Sequence, residues 1–106
     1  MATKYHNRKT VYQGVRFDSQ KEADRYRDLL LLERAGLITR IELQPRYDLV
    51  VNGYKLGFYR GDFCYEEVAT RTTVLEDVKS PVTKTPVYQL KKKLVKAIYG
   101  IEIREV

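Results

Sequence analysis

The chain has little of what usually announces a functional site. Its 106 residues include one cysteine, Cys64, one histidine, His6, and no tryptophan. A single thiol excludes an intramolecular disulfide, and one thiol with one imidazole cannot build a zinc centre from Cys and His. Cys64 reads as a small strand filler. Any metal must then rest on carboxylate and carbonyl oxygens, a donor set that suits Mg²⁺ or Mn²⁺. No apolar run approaches the ~20 residues of a membrane span. No apolar segment follows the basic start, so no secretory signal is expected and the expected location is cytoplasmic. Only six glycines and three prolines are present, so they are informative as boundary markers.

Positive charge is abundant. Lys and Arg number 20 against 14 Asp and Glu, a net charge of +6. A small basic domain suits a polyanionic partner such as nucleic acid, while a solubilising surface would account for the same excess. The length suits one domain with one modest core.

Residues 1–14 are polar and basic and read as an N-terminal arm that ends in a turn at Gln13-Gly14. Arg8 and Lys9 of this arm can lie along phosphates, and a frayed terminus reads equally well. Ser19-x-x-Glu22 is a capping-box pattern. A helix follows through Ala23, Tyr26, Leu29, Leu30 and Leu32 to Gly36, a good terminator. Strands are expected at Leu37 to Leu43, at Tyr47 to Val51, and on the return from Asn52-Gly53, a two-residue hairpin signal of type I′. The returning apolar run continues through Phe58 and Tyr59 to Tyr65, with Gly57 and Gly61 marking a bulge or a close backbone approach. Val74 to Lys79 reads as a buried strand. Thr85 and Pro86 start a second helix that ends near Gly100. Its apolar stripe is Val87, Leu90, Leu94, Ala97 and Ile98, with Gln89, Lys92, Lys93 and Lys96 opposite. Ile101 to Val106 alternates as a final edge strand.

Chemistry concentrates on Val74-Leu75-Glu76-Asp77-Val78-Lys79. Alternation puts Asp77 and Lys79 on one face of the strand and Glu76 on the other with Val74 and Val78. Asp62 lies in the preceding run, so pairing of the two runs would converge Asp62 and Asp77 on one hard cation with Lys79 beside it. The backbone carbonyl of Val78 is a possible third ligand. Glu22 is either a helix cap or a further carboxylate of the site. Two buried carboxylates beside one lysine repel each other unless a cation is present. A cross-strand ion pair on a wet sheet face is the plain alternative for Asp77 and Lys79.

The helix with Glu22, the hairpin, Asp62, Asp77-Val78-Lys79 and the basic second helix together resemble the PD-(D/E)XK, or restriction-endonuclease-like, nuclease superfamily, in particular its small phage-encoded members. The residues that carry the resemblance are Lys4-Tyr5-His6-Asn7-Arg8-Lys9, Phe17 to Ala23, Gln44-Pro45, Gly61-Asp62-Phe63 and Glu76 to Ser80. The resemblance implies an α/β fold with a restriction-endonuclease-like core, in which a central mixed or antiparallel sheet is flanked by two helices. It implies Asp62, Asp77, Lys79 and Glu22 as catalytic residues. The same resemblance implies Mg²⁺ (with Mn²⁺ able to substitute) on Asp62, Asp77, Val78 and Glu22. Gly61 stands where the motif's name has proline.

The expected function is a metal-dependent endonuclease acting on double-stranded or branched DNA, similar to Holliday junction resolvases. Such an enzyme would work as a homodimer, with no membrane partner, in the cytoplasm of a bacterial host. Its expected DNA contacts are Arg8, Lys9, Arg60, Lys84, Gln89, Lys92, Lys93 and Lys96. The alternative is a non-catalytic nucleic-acid-binding protein on the same scaffold.

Overall fold

The computed structural model describes residues 9–80 and 84–106. Two short strands come first, β1 (Thr10–Tyr12) and β2 (Val15–Phe17), then helix α1 (Gln20–Arg34). Strands β3 (Ile38–Leu43), β4 (Arg46–Val51), β5 (Tyr54–Arg60), β6 (Phe63–Glu67) and β7 (Thr72–Asp77) follow. Helix α2 (Pro86–Tyr99) and strand β8 (Ile103–Glu105) close the chain. The architecture is α/β.

Local signals account for the element ends. The Ser19 hydroxyl accepts from the Glu22 N–H at 3.1 Å, and the Thr85 hydroxyl accepts from the Tyr88 N–H at 3.1 Å, each satisfying an otherwise orphaned donor of a first turn. At the end of α1, Gly36 N–H donates to Glu33 O and Leu37 N–H to Leu32 O, a Schellman closure with Gly36 at φ 79°. Asn52 and Gly53 both take positive φ, as a type I′ hairpin turn requires.

Residues 10–17 depart from the expected arm. Thr10, Val11 and Tyr12 pair with Phe17, Arg16 and Val15 around Gln13-Gly14, both at positive φ. The turn that reads as the arm's end is the tip of a hairpin, and it buries Phe17 in the core. Residues 1–8 and 81–83 lie outside the described residues, Arg8 among them.

The main sheet runs β3-β6-β7-β8, antiparallel except for the β7–β8 pair. Alternation divides its side chains between two cores. Phe63, Tyr65 and Val74 meet Leu29 and Ala23 of α1 together with Phe17. Leu75 and Ile103, on the opposite face, meet Tyr88 and Val95 of α2 with Leu49 and Tyr59 of the β4–β5 hairpin. The sheet therefore lies between the two helices, with β3 and β8 at its edges.

Two expectations change here. The Phe58–Tyr65 run is two strands: β5 pairs with β4, β6 pairs with β3 and β7, and the chain breaks between them at Gly61-Asp62. On α2, Tyr88 and Val95 are buried, whereas Val87 and Leu90 are 63% and 58% exposed. The apolar arc of α2 is wider than the surface beneath it, and burying Tyr88 turns Val87 and Leu90 outward.

A methyl group on Gly61 would lie 2.8 Å from the Leu75 Cδ1 and 3.4 Å from the Glu76 carbonyl oxygen. Leu75 is fully buried, so any shift it makes disturbs the core around it. Gly61→Ala should therefore cost about 1–3 kcal/mol through overpacking, read from the midpoint of urea denaturation. An unchanged midpoint would show that the β5–β6 break is not tightly packed.

Candidate functional site

Asp62, Val78, Asp77, Lys79 and Glu22 come together at one end of the main sheet. Phe63 pairs with Glu76, and continuing that register by one residue sets Asp62 across from Asp77. The break at Gly61-Asp62 is held by three backbone bonds: Gly61 N–H to Pro45 O at 2.9 Å, Gln44 N–H to Asp62 O at 2.9 Å, and Asp62 N–H to Glu76 O at 3.0 Å. The Asp62 carboxylate accepts from the Val78 N–H at 2.7 Å. It lines one hollow with the Glu22 carboxyl, which approaches from the first turn of α1. Val78 thus contributes its N–H to the site.

Burial, followed by the nearby charges of Glu22 and Asp77, pushes the Asp62 carboxyl up to about 8, although the Val78 N–H works the other way. Glu22 is raised as well, chiefly by burial, although its neighbours Asp62 and Ser19 work the other way. Burial and their neighbouring negative charges therefore favour the protonated form of both carboxyls. Glu22 is therefore both cap partner and site residue: its N–H meets Ser19 while its carboxyl meets Asp62 and Ser19.

Asp77 faces the α2 side of the sheet. The Tyr59 hydroxyl donates to its Oδ2, and the Lys79 Nζ lies 3.1 Å from its Oδ1. Burial, then the bond to Asp77, raises the Tyr59 phenol far above its usual range, so it remains a donor. The Lys79 ammonium also sits 4.0 Å from the centroid of the Tyr88 ring, a cation–π contact. The Lys79 carbonyl accepts from the Lys21 Nζ at 2.6 Å. Lys79 N–H donates to Val106 O and Val106 N–H to Asp77 O, both at 3.0 Å, so the C-terminal strand clamps the Asp77–Lys79 segment.

Glu76, on the other face, has a structural task. It is 0% exposed, receives Arg25 Nε at 2.8 Å and Arg25 Nη2 at 2.5 Å, and accepts from the Tyr65 hydroxyl. This bidentate pair satisfies the buried charge.

The site opens on two sides. A groove of about 440 Å³ is lined by Asp77, Lys79 and Tyr88 with Phe58, Arg60, Val87 and Lys91. A smaller hollow of about 130 Å³ meets Glu22 and Asp62 from the side of Arg16, Phe17 and Gln44.

The expected DNA contacts divide. Arg60 lines the groove beside Asp77. Gln89, Lys92, Lys93 and Lys96 line another hollow, of about 260 Å³, together with Glu102. That is a different face of α2 from the one turned to Lys79. Lys84 and Lys92 each approach Glu105 at 3.1 Å, Lys96 lies 3.7 Å from Glu102, and Lys9 lies 3.8 Å from Asp18. The lysine that α2 does turn to the groove is Lys91. Tyr59, Tyr88 and Arg25 are site or support residues that the sequence reading did not single out. Alternation of Tyr59 and the register of Lys91 with Tyr88 carried the signal, but it appears only once the sheet pairing and the helix rotation are known.

The donor chemistry fits a hard divalent cation in part. Glu22 and Asp62 supply close carboxylate oxygens whose mutual repulsion a cation would relieve. Asp77 is near enough to act on both electrostatically, but its own oxygens are engaged by Tyr59 and Lys79. Among the described residues, no three His, Cys, Asp or Glu side chains are grouped to hold a metal ion. Among them, too, no helix is long and apolar enough to cross a membrane.

Two measurements test these electrostatics. In metal-free buffer the folded state should bind more protons than the unfolded chain between about pH 4 and 8, because the Asp62 carboxyl is raised to about 8 on folding. This contribution is fully present below about pH 4 and is lost as pH rises through about 8. Asp62→Asn should flatten that part of the stability profile; the same slope in both proteins would remove Asp62 as its source. Arg25→Ala strands the buried Glu76 charge and should cost about 3–5 kcal/mol, read by denaturant titration.

A family model described as "Protein of unknown function (DUF1064)" matches residues 2–105. No curated protein and no solved structure matches the chain.

Proposed function

We propose that this chain, which belongs to the family described as "Protein of unknown function (DUF1064)", is a metal-dependent DNA endonuclease of the PD-(D/E)XK kind, selective for branched DNA and working as a homodimer. The observation that carries the reading is the meeting of Glu22, Asp62, Asp77 and Lys79 from α1, the β5–β6 break and the end of β7, beside a groove that Arg60 and Lys91 also line. Each of these residues was a candidate on sequence grounds, and acids set beside a basic groove suit phosphodiester hydrolysis better than simple binding of phosphate.

Bound Mg²⁺ or Mn²⁺, held by Asp62 and Glu22 with Asp77 beside them, would supply neutralisation of phosphate charge and an acidified water. The remaining work falls to this chain's own groups. Lys79, oriented by Asp77 and the Tyr88 ring, presents a fixed ammonium where charge develops on the phosphate. Tyr59 holds Asp77, and Arg60 and Lys91 attract the backbone of the nucleic acid. The proton that burial keeps on Asp62 must leave before both carboxylates can hold a cation, so metal affinity should rise with pH.

A non-catalytic nucleic-acid-binding protein is the second reading. The engagement of both Asp77 oxygens by Tyr59 and Lys79 favours it, since that arrangement is electrostatically complete without a metal.

Cleavage of labelled linear, forked and four-way-junction DNA, in Mg²⁺ and in EDTA, separates the two. The expected outcome is Mg²⁺-dependent cutting that Asp77→Ala abolishes while sparing DNA binding, and that Lys79→Ala lowers by roughly 10²–10³-fold. Binding without cutting on every substrate, in Mg²⁺ and Mn²⁺ alike, would overturn the nuclease reading in favour of the second.

A further inference from the structure

The groove beside Lys79 has an apolar wall that phosphate chemistry does not require. Phe58 is 40% exposed and Val87 63%, and both line the groove with Asp77 and Lys79. The Phe58 ring carries cations: the Arg46 guanidinium carbon lies 4.0 Å from its centroid and the Lys91 Nζ 5.4 Å. Arg60 and Lys91 line the same hollow. An exposed aromatic ring among cations, within reach of a candidate phosphodiesterase site, has the composition of a base-stacking platform. At about 440 Å³ the hollow falls in the roughly 300–1,000 Å³ range of clefts that enclose a small ligand.

From this we infer that the groove binds an unpaired nucleotide, its base stacked against Phe58 and Val87 and its phosphate directed to Arg60, Lys79 and Lys91. The inference rests on the nuclease reading of the neighbouring acids and narrows the substrate to DNA with an unstacked base next to the bond to be cut. Paired duplex presents sugar and phosphate to a surface groove and keeps its base faces stacked inside, so Phe58 and Val87 would have nothing to meet. A fork, flap or junction supplies the missing base face. Cations alone would bind duplex and single strands through the same salt-dependent term; the aromatic wall is what distinguishes them.

The test uses the full chain in EDTA, which separates binding from cutting, and oligonucleotides carrying 2-aminopurine at an unpaired position. The wild type should bind forked and single-stranded oligonucleotides on the order of tenfold more tightly than blunt duplex, with quenching of the 2-aminopurine as it stacks. Phe58→Ala should lose that preference and the quenching but keep duplex affinity, and Phe58→Trp should restore both. Lys91→Ala should weaken every nucleic acid alike and lower the salt slope by about one.

An unchanged preference in Phe58→Ala, or an equal loss on fork and duplex, overturns the inference. So does sedimentation showing a wild-type dimer that Phe58→Ala dissociates, because the apolar wall would then be a self-association surface. The two readings fail separately. Phe58-dependent fork binding with no cutting by the wild type in Mg²⁺ or Mn²⁺ keeps the base platform and discards the nuclease. Cutting abolished by Asp77→Ala but indifferent to Phe58 keeps the nuclease and discards the platform.

Discussion

The break between β5 and β6 is where the candidate site takes its shape. Gly61 is pressed against Leu75 with no room for a side chain, and Asp62 hydrogen-bonds across to Glu76 as β6 begins. These contacts let one strand leave the β4–β5 hairpin and enter the main sheet without a connecting loop. As a result Asp62 stands opposite Asp77, and its carboxylate is close enough to take the Val78 N–H. A looser turn would let Asp62 reach water, and the raised proton affinity that burial imposes on it would disappear.

The other constraint is how the buried charges are shared out. Strand alternation sends Glu76 to the α1 face and Asp77 to the α2 face. Each carboxylate is answered by one cation and one tyrosine hydroxyl: Arg25 and Tyr65 for Glu76, Lys79 and Tyr59 for Asp77. Among the described residues no buried side-chain polar atom lacks a partner. Glu76 is closed off with a bidentate partner and no exposure, so it acts as structure. Asp77 is paired with the Lys79 ammonium and lines a groove, so it is the carboxylate that a ligand in the groove would meet. Asp62 and Glu22 are answered by the Val78 N–H and the Ser19 hydroxyl and by no cation among the described ion pairs, and burial raises both carboxyls. Regulation or catalysis built on this cluster would work through that imbalance.

Helix α2 joins these two themes. Thr85 caps it, Tyr88 supports Lys79, and Tyr88 with Lys92 binds Glu105, whose carboxyl is held low, to about 2, by the Tyr88 hydroxyl first and by lysines after it. Glu105 in turn belongs to β8, which pairs with β7 at Asp77. The rotation of α2 is thus tied to the strand that carries the candidate site. That rotation sends Lys92, Lys93 and Lys96 away from the acids and brings Lys91 and Val87 toward them.

Much of this was determined by sequence alone, where the deciding interaction spans only a few residues. Ser19 and Thr85 as caps, Gly36 and Gly100 as terminators, and the Asn52-Gly53 turn depend on backbone groups within one turn of the chain. The opposite facing of Glu76 and Asp77 follows from strand periodicity, and the proximity of Asp77 and Lys79 from their two-residue spacing. Only the tertiary structure decided which distant group each carboxylate meets. Glu22 joining Asp62, Arg25 closing on Glu76, the hairpin made from the supposed arm, and Lys91 facing the groove all depend on how two helices settle on opposite faces of one sheet. That settling is a compromise over total burial. Apolar residues in excess of the available core, such as Val87, Leu90 and Phe58, were left outside by packing that no local pattern encodes.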